Sequence, residues 1–284
     1  MNSDDSETTR RRALIGIGTG LAVGLAGCMG GGDGTETEGS TSTEMSTEME
    51  TSTEMAGETE METESGEATG TEGESASVRV AHVAPNAPNV DVYVDGSAVL
   101  EDVPFGAVSE YLAVPAGERQ VQITAAGDPD TVVFEGAVPV EAGMMYTVAA
   151  TGEIGDMADQ AFEPLVLQGD GSAPGGDMAR VRLVHASPDA PAVDVTLASN
   201  GDTVFDGVAY GESSTTTVPA GDYTLDVRGD TESNDGDVAA SFDVSLSGGQ
   251  AYTAFAAGYL TPDDEPADTA FDLIVAQDTQ SMSG

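Results

Sequence analysis

Two stretches of this chain are nearly the same: VRVAHVAPNAPNVDV at residues 78–92 and VRLVHASPDAPAVDV at residues 181–195. The copies lie 103 positions apart, and each is followed by a VPAG segment, at residues 114–117 and 218–221. About a hundred residues per copy is the size of a domain rather than of one unit in a solenoid. We place the two predicted domains at residues 77–169 and 178–279.

Within each copy, apolar and polar residues alternate along short segments. Val90, Val92 and Val94 are separated by polar residues, and Val121 and Ile123 follow the same pattern. A period of two with one solvated face is typical of antiparallel strands. About seven or eight such strands per copy, with no helical period, predict an all-β protein of two antiparallel β-sandwiches.

The repeated pattern Val-Arg-x-x-His-x-x-Pro-x-Ala-Pro-x-Val-Asp-Val, with the later Val-Pro-Ala-Gly, resembles the domains of unknown function of the DUF4397 family over residues 77–278. This resemblance implies an exported protein with tandem domains, and it implies no reaction. The Pro-Ala-Gly turn before an alternating strand is also similar to Ig-like and transthyretin-like sandwiches. We therefore expect that architecture in both copies.

The composition excludes several classes of protein. The 284 residues carry 51 acidic residues against 8 basic ones, all arginine, for a net charge of −43. A nucleic-acid-binding surface needs more basic residues than this chain has. A single cysteine excludes an internal disulfide framework and a cysteine-rich zinc site, and the absence of lysine excludes Schiff-base and P-loop lysine chemistry.

The first 28 residues are predicted to be an export signal with a lipid attachment site. Arg11 and Arg12 precede an apolar run that is shorter than the roughly twenty residues of a membrane-spanning helix, and they resemble a twin-arginine motif. The run ends in Leu25-Ala26-Gly27-Cys28, which resembles a lipobox. Cys28 is therefore the predicted lipidation site, and it would join the protein to the membrane.

The next segment, residues 29–76, is predicted to be a disordered acidic linker. It contains fourteen acidic residues and no basic residue among Ser, Thr, Gly and Met. Such a segment cannot bury enough apolar surface to offset its ordering entropy. Together with the lysine-free acidic body, these features resemble a cell-surface lipoprotein of a halophilic archaeon, on the extracellular face of the membrane.

The sharpest chemical candidates in the repeated motif are His82 and Asp91 in the first copy and His185 and Asp194 in the second. One interpretation is a binding or acid–base site at the end of each sandwich. The other is a histidine that fills the end of the core and bonds loop carbonyls, with an aspartate that fixes a turn. We favour the second interpretation, because one histidine per domain is too few for a zinc site.

A second candidate is the acidic loop of residues 230–237, with Asp230, Glu232, Asn234 and Asp237 as potential calcium ligands at alternate positions. The pattern departs from a calcium loop because its glycine comes one place late and a serine replaces the final glutamate. We interpret the loop as a solvated hairpin tip and predict no metal and no cofactor.

The sequence contains none of the hydrolase, zinc-protease or nucleotide-binding motifs that we sought, so we predict that the protein is not an enzyme. The favoured function is a non-catalytic structural or binding module at the cell surface, with a cell-envelope protein or glycan as its partner and no nucleic acid. The alternative is a surface protein that binds a ligand or divalent cation through domain-end loops. A carboxylate-based hydrolase is the third interpretation. The sequence does not indicate an oligomeric state.

Overall fold

The computed structural model describes the backbone of residues 11–12, and residues 75–155, 158–169 and 172–278. The predicted export signal, lipobox and linker lie outside the described residues, except for the backbone of Arg11 and Arg12 and the last two linker residues. The first long strand begins at Ser75, two residues before the sequence-based start of the first domain, and Ala76 is fully buried.

The described residues form seventeen strands and one short 3₁₀ turn at Pro262–Asp264. The strands are, in chain order, β1 (Arg11–Arg12), β2 (Ser75–His82), β3 (Val90–Val94), β4 (Ser97–Val103), β5 (Leu112–Pro115), β6 (Gly117–Ala125), β7 (Asp128–Val140), β8 (Met145–Thr151), β9 (Glu163–Gly169), β10 (Met178–Ala186), β11 (Val193–Leu197), β12 (Thr203–Val208), β13 (Ser213–Pro219), β14 (Gly221–Gly229), β15 (Val238–Leu246), β16 (Gln250–Ala257) and β17 (Asp272–Gln277).

Each repeat is a sandwich of two sheets. In the first sandwich the sheets have the orders β5-β2-β8-β9 and β4-β3-β6-β7, and in the second β13-β10-β16-β17 and β12-β11-β14-β15, with β1 added in parallel beside β15. The prediction of two tandem all-β sandwiches is confirmed. We call the sheets that contain β2 and β10 the inner sheets and the other two the outer sheets.

One pairing in each inner sheet differs from the expected antiparallel arrangement. Strand β2 runs parallel to β8, and β10 runs parallel to β16. These partners lie about 70 residues apart in the chain, so no local turn sequence predicts the pairing. The remaining pairings within the two sandwiches are antiparallel, as the alternation predicts.

The alternating apolar residues fill the space between the two sheets of each sandwich. Val90, Val92, Val121 and Ile123 are buried in the first core, as their period of two predicts. The hairpin between β3 and β4 turns at Asp95 and Gly96, which have φ values of 50° and 79°. This is the left-handed region that an Asp-Gly turn favours.

A third apolar cluster joins the two sandwiches. It contains small and aromatic side chains from both inner sheets, and the two repeats belong to one compact unit. The buried members are Ala81, Val83, Ala149, Leu167, Val184, Ala186, Phe255 and Ala257. The inner sheets are therefore covered on both faces, which explains why β2, β8, β10 and β16 are buried along most of their length.

Candidate functional site

The two motif histidines lie at the ends of β2 and β10, and both side chains are completely buried. The Nε2 atom of His82 is 3.0 Å from the carbonyl oxygen of Pro88, and that of His185 is 2.8 Å from the carbonyl oxygen of Pro191. Each ring thus bonds to a carbonyl six residues farther along its own loop. It also meets an aromatic ring edge-on, Phe105 in the first repeat and Tyr210 in the second.

These contacts favour neutral imidazoles. Burial lowers the pKa of both histidines, and the bonds to the loop carbonyls oppose that shift only in part. In the second repeat the Ser187 N–H donates to Nδ1 of His185 at 3.3 Å, so Nε2 carries the proton and donates to Pro191. In the first repeat Nδ1 of His82 is buried without a hydrogen-bond partner.

The first motif aspartate, Asp91, bonds to the backbone of a neighbouring strand and of a turn. Its Oδ1 accepts the N–H of Asp102 at 2.8 Å, and its Oδ2 accepts the N–H of Gly127 at 2.9 Å. The carboxylate therefore joins the end of β4 to the hairpin turn between β6 and β7. Its position on β3, opposite Thr124 of β6, aims it at these segments.

The second motif aspartate, Asp194, repeats this arrangement on β11. Its two oxygens accept the N–H groups of Gly207 at 2.8 Å and Thr231 at 3.0 Å. Charge-assisted bonds to backbone N–H groups are among the stronger hydrogen bonds in proteins. In both repeats the aspartate thus joins the end of an edge strand to a hairpin loop, while the histidine bonds to a third segment.

The acidic loop after β14 is fastened by its own polar groups. Thr231 donates to Asp194, the Asn234 side chain donates to Thr203 Oγ1 at 3.0 Å, and Arg228 donates to the Gly236 carbonyl at 2.7 Å. Glu232 and Asp237 are exposed at the tip.

Asp230 starts this loop, and partial desolvation raises the pKa of its carboxyl, with the neighbouring charges of Asp194 and Asp206 adding to the shift. Within the described part of the chain, no group of three or more His, Cys, Asp or Glu side chains is placed to share a metal ion.

A buried polar contact joins the two sandwiches. The hydroxyl of Tyr259 donates to Oε1 of Glu153 at 2.7 Å, and Oε2 of Glu153 accepts the N–H of Asp159 at 2.9 Å. Burial and the bond to Glu153 raise the pKa of Tyr259, so the phenol stays protonated.

Glu153 and Tyr259 occupy equivalent positions in the two repeats. Each forms a parallel bridge to the segment before the last strand, at Ala161 and Ala270 respectively. Each follows a glycine, Gly152 or Gly258, with φ near 80–90°, and an added Cβ there would overlap the carbonyl of that bridging alanine. Two equivalent residues in contact define an approximate two-fold axis between the sandwiches.

Arg79 makes the most extensive polar contacts at this interface. Its guanidinium is 2% exposed and donates to Thr147 Oγ1 and to the Gln277 carbonyl, both at 2.9 Å. It also forms an ion pair with Asp278 and lies 4.8 Å from the centre of the Tyr111 ring. A residue of β2 is thereby fixed to the end of β17, about two hundred residues away.

The sequence interpretation named none of Arg79, Glu153 and Tyr259. Arg79 alternates with the apolar residues Val78 and Val80, a pattern that by itself indicates a solvated position. The overlooked indication was the lack of alternation in two strands, MYTVAAT at residues 145–151 and QAYTAFAA at residues 250–257. Strands that are apolar on both faces are covered on both faces.

Among the described residues, no helix has the length and apolar character needed to cross a membrane.

Comparison with known proteins identifies the family. The sequence profile of the domain of unknown function DUF4397 matches residues 76–196 and again residues 195–283. These matches cover most of the chain, and the chain belongs to the DUF4397 family. No curated protein matches the sequence.

Solved structures resemble the fold only distantly. The Bacillus anthracis TIE protein is 10% identical, with 66% of this chain and 34% of that chain covered and a TM-score of 0.22, so this chain spans about a third of its length. A candidate cell adhesion protein from Bacteroides fragilis NCTC 9343 is 9% identical, with 73% of this chain and 99% of that chain covered and a TM-score of 0.18. A second one, from Bacteroides ovatus ATCC 8483, is 10% identical, with 74% of this chain and 99% of that chain covered and a TM-score of 0.19. Likenesses at this level assign no function.

Proposed function

We propose that this protein is an exported, lipid-anchored cell-surface protein whose two docked sandwiches act as a non-catalytic binding or structural module. The observation that carries the non-catalytic part is the use of the repeated motif. All four carboxylate oxygens of Asp91 and Asp194 accept backbone N–H groups, and both Nε2 atoms of His82 and His185 bond to carbonyls. The side chains best suited to acid–base chemistry are therefore engaged in holding loops.

Recognition by this module would use its surface rather than a deep pocket. The two described cavities have volumes of about 10 Å³ and about 30 Å³, which is room for one or two water-sized groups. A small-molecule site is commonly ten times larger or more. We propose as the partner another component of the cell envelope, a protein or a glycan, that contacts loops and strand edges.

Attachment to the membrane is proposed to rest on Cys28. The linker of residues 29–76 carries a net charge of −14, so anionic headgroups repel it rather than attract it. A lipid with two hydrocarbon chains can hold such a chain stably, whereas one chain would exchange. The acidic linker would then keep the sandwiches away from the bilayer surface.

The anchor is tested by membrane fractionation of cells that express the wild type, Cys28→Ser or Thr35→Ser. Cys28→Ser removes the thiol that forms the lipid thioether, so it should appear in the medium or as an unprocessed precursor. Thr35→Ser changes the linker and keeps the thiol, so it should fractionate with membranes like the wild type. Mass spectrometry of the wild-type N-terminus decides the matter, because an intact Met1 with a free Cys28 thiol rejects the lipoprotein assignment.

The module is tested by capture from cell envelopes at the salt concentration of the native environment, with the purified full chain as bait. We expect retention of one envelope component that survives substitution of both motif histidines by glutamine, because those side chains serve the fold. Turnover of an envelope glycan or peptide by the bait, lost in the same variant, would reject the non-catalytic proposal.

Cation binding by the loop after β14 is the competing function, and the crowding of Asp230 by Asp194 and Asp206 favours it. Calcium would relieve that repulsion. Calorimetric titration of the full chain with calcium tests this function. Under our proposal, the wild type and Asp230→Asn should give the same heats, with no saturable binding at this loop. Tight binding lost in Asp230→Asn and retained in the exposed control Asp263→Asn would favour the cation-binding function instead.

A further inference from the structure

The two-fold relation between the sandwiches is broken at one ion pair. Arg79 donates both to the Gln277 carbonyl and to the Asp278 carboxylate. Its counterpart in the second repeat, Arg182, donates to the corresponding carbonyl, that of Gln168, at 2.9 Å. The contact with the glutamine carbonyl thus occurs on both sides of the two-fold axis, whereas the contact with a carboxylate occurs only at Arg79.

The residue that corresponds to Asp278 is a glycine. Gln168 and Gln277 hold equivalent positions in the two inner sheets, each opposite a tyrosine of the neighbouring strand, and Gly169 and Asp278 are the next residues. The second repeat therefore supplies a carboxylate to Arg79 at this position, whereas Gly169 offers no side chain to Arg182.

There is room for a side chain at position 169. A Cβ atom built on Gly169 would lie 3.7 Å from Nη2 of Arg182 and 3.9 Å from the carbonyl oxygen of Met145, which are ordinary van der Waals distances. A cavity of about 10 Å³ adjoins this position, and its lining includes Tyr111, Thr147, Gly169, Arg180, Arg182 and Asp278. This volume is at the lower limit for a single water-sized group, so it has room for one oxygen of a small anion, and the rest of the anion would lie outside it.

Positive charge is concentrated around this cavity. Residues 77–284 carry thirty-four acidic residues and five arginines, and three of the five, Arg79, Arg180 and Arg182, lie at this interface. Arg79 and the hydroxyl of Thr253 already engage both oxygens of Asp278, so the carboxylate in the lining is neutralised.

The aromatic residue over Arg79 completes the site. Burial raises the pKa of Tyr111, and the positive charges of Arg79 and Arg182 oppose that shift. The phenol is therefore protonated at neutral pH, and its ring is held by the guanidinium of Arg79. Tyr111 and Thr147 add hydroxyl groups to a lining that also contains the Arg182 guanidinium.

We propose that Arg182 and the cavity beside Gly169 form a binding site for the carboxylate of a small organic acid, which occupies the place that Asp278 occupies beside Arg79. A guanidinium N–H donates to one oxygen of a carboxylate in a charge-assisted hydrogen bond, as Arg79 does to Asp278, and its directional N–H groups suit a carboxylate better than a spherical halide. The cavity takes that oxygen, and the remainder of the acid extends outward. This site is independent of the lipid anchor and of any envelope partner.

The test uses the purified full chain, with acetate replacing chloride at constant sodium concentration. Saturation-transfer NMR on the acetate methyl group measures binding, and thermal unfolding reports the accompanying stabilisation. We expect saturable acetate binding by the wild type, and binding at least about tenfold weaker in Arg182→Gln, because a charge-assisted hydrogen bond is lost. Arg119→Gln, which removes an arginine far from this interface, should bind acetate like the wild type.

Gly169→Asp provides the decisive variant, because it installs the corresponding carboxylate within the chain. It should unfold at a higher temperature than the wild type and show no saturable acetate binding. Gly175→Asp adds the same charge at an exposed glycine whose Cβ would meet nothing within 4 Å, and it should keep the wild-type response.

Two outcomes overturn the proposal. One is equal stabilisation by chloride and acetate in the wild type. The other is acetate binding that persists unchanged in Gly169→Asp and Arg182→Gln.

Discussion

The two sandwiches share their strand order and their loop contacts, but their cores are filled differently. Phe242 pairs with Leu225 in the second sandwich, whereas Gly136 pairs with Val121 at the same place in the first. A cavity of about 30 Å³ with a wholly apolar lining lies between the sheets of the first sandwich. The repeated motif thus determines the topology, and the residues between the motifs determine how closely each core packs.

The first sandwich compensates in part with a ring from a neighbouring position. The ring of Phe134 lies over Gly136, where a Cβ would come within 2.7 Å of it. Phe134 is only half-buried, whereas Phe242 is 2% exposed. We therefore expect the second sandwich to be the more stable half and to support the first through their interface.

The largest expected effect comes from removing the ring that distinguishes the second core. Phe242→Ala should lower the free energy of unfolding by about 3–5 kcal/mol, because it removes a fully buried ring and leaves a cavity. Val238→Ala, at a 45%-exposed position of the same strand, is the matched control and should stay within about 0.5 kcal/mol of the wild type. Denaturant unfolding at constant salt measures both, and a cost below about 1 kcal/mol for Phe242→Ala would contradict the comparison.

The interface offers a second contrast, between two equivalent arginines. Arg79→Leu should cost about 3 kcal/mol, because it leaves the Asp278 carboxylate without its cation in a mostly buried position. Arg182→Leu should cost at most about 1 kcal/mol, since its hydrogen bond within the described part of the chain goes to an exposed carbonyl. The double variant Arg79→Leu with Asp278→Leu should recover part of the loss. Equal costs for the two single variants would show that the interface does not depend on the Asp278 pair.

Much of the fold follows from the sequence, because its determinants are local. The alternation around Val92 and Ile123 fixes which face enters the core, and Asp95-Gly96 fixes a hairpin. The motif histidines fall in phase with Val80, and they lie in the core accordingly.

The interface does not follow from the sequence in the same way. Arg79 has the opposite phase to Val80, so alternation alone assigns it to solvent, yet its partners lie 198 and 199 residues away. The parallel pairing of β2 with β8 likewise depends on contacts far apart in the chain. Only the continuous apolar character of β8 and β16 indicates that a second surface covers these strands.

The two motif histidines predict a pH dependence of folding stability that differs between the two sandwiches. Burial lowers the pKa of both rings below the ordinary value of about 6.5. As the pH falls, the histidines of the unfolded chain therefore bind protons before those of the folded chain do. The fold consequently loses stability from about pH 6.5 downward, until the pH reaches the pKa of the folded state. The charge of Asp189 opposes the lowering of the His185 pKa, and no charge on the described residues has a comparable effect on the pKa of His82. His82→Gln, which keeps an N–H for the Pro88 carbonyl, should therefore remove more of the pH dependence than His185→Gln does. Unfolding measured between about pH 7 and pH 5 checks this, and unchanged slopes in both variants would reject it.

The smallest effect concerns the cavity of the first sandwich. Its apolar lining includes Val121, where the second sandwich has Leu225 in the equivalent register. Val121→Ile adds one methylene and keeps the β-branched side chain that suits a strand, so it should fill the cavity and raise the free energy of unfolding by about 0.8 kcal/mol. Val132→Ile makes the same change at a 44%-exposed position and should have no measurable effect. Because an added methylene in a closely packed core costs about 1–3 kcal/mol, the sign of the change distinguishes a cavity from a filled core. A destabilised Val121→Ile would mean that the two sandwiches are packed equally well, and that the smaller residues of the first core are matched by closer sheets.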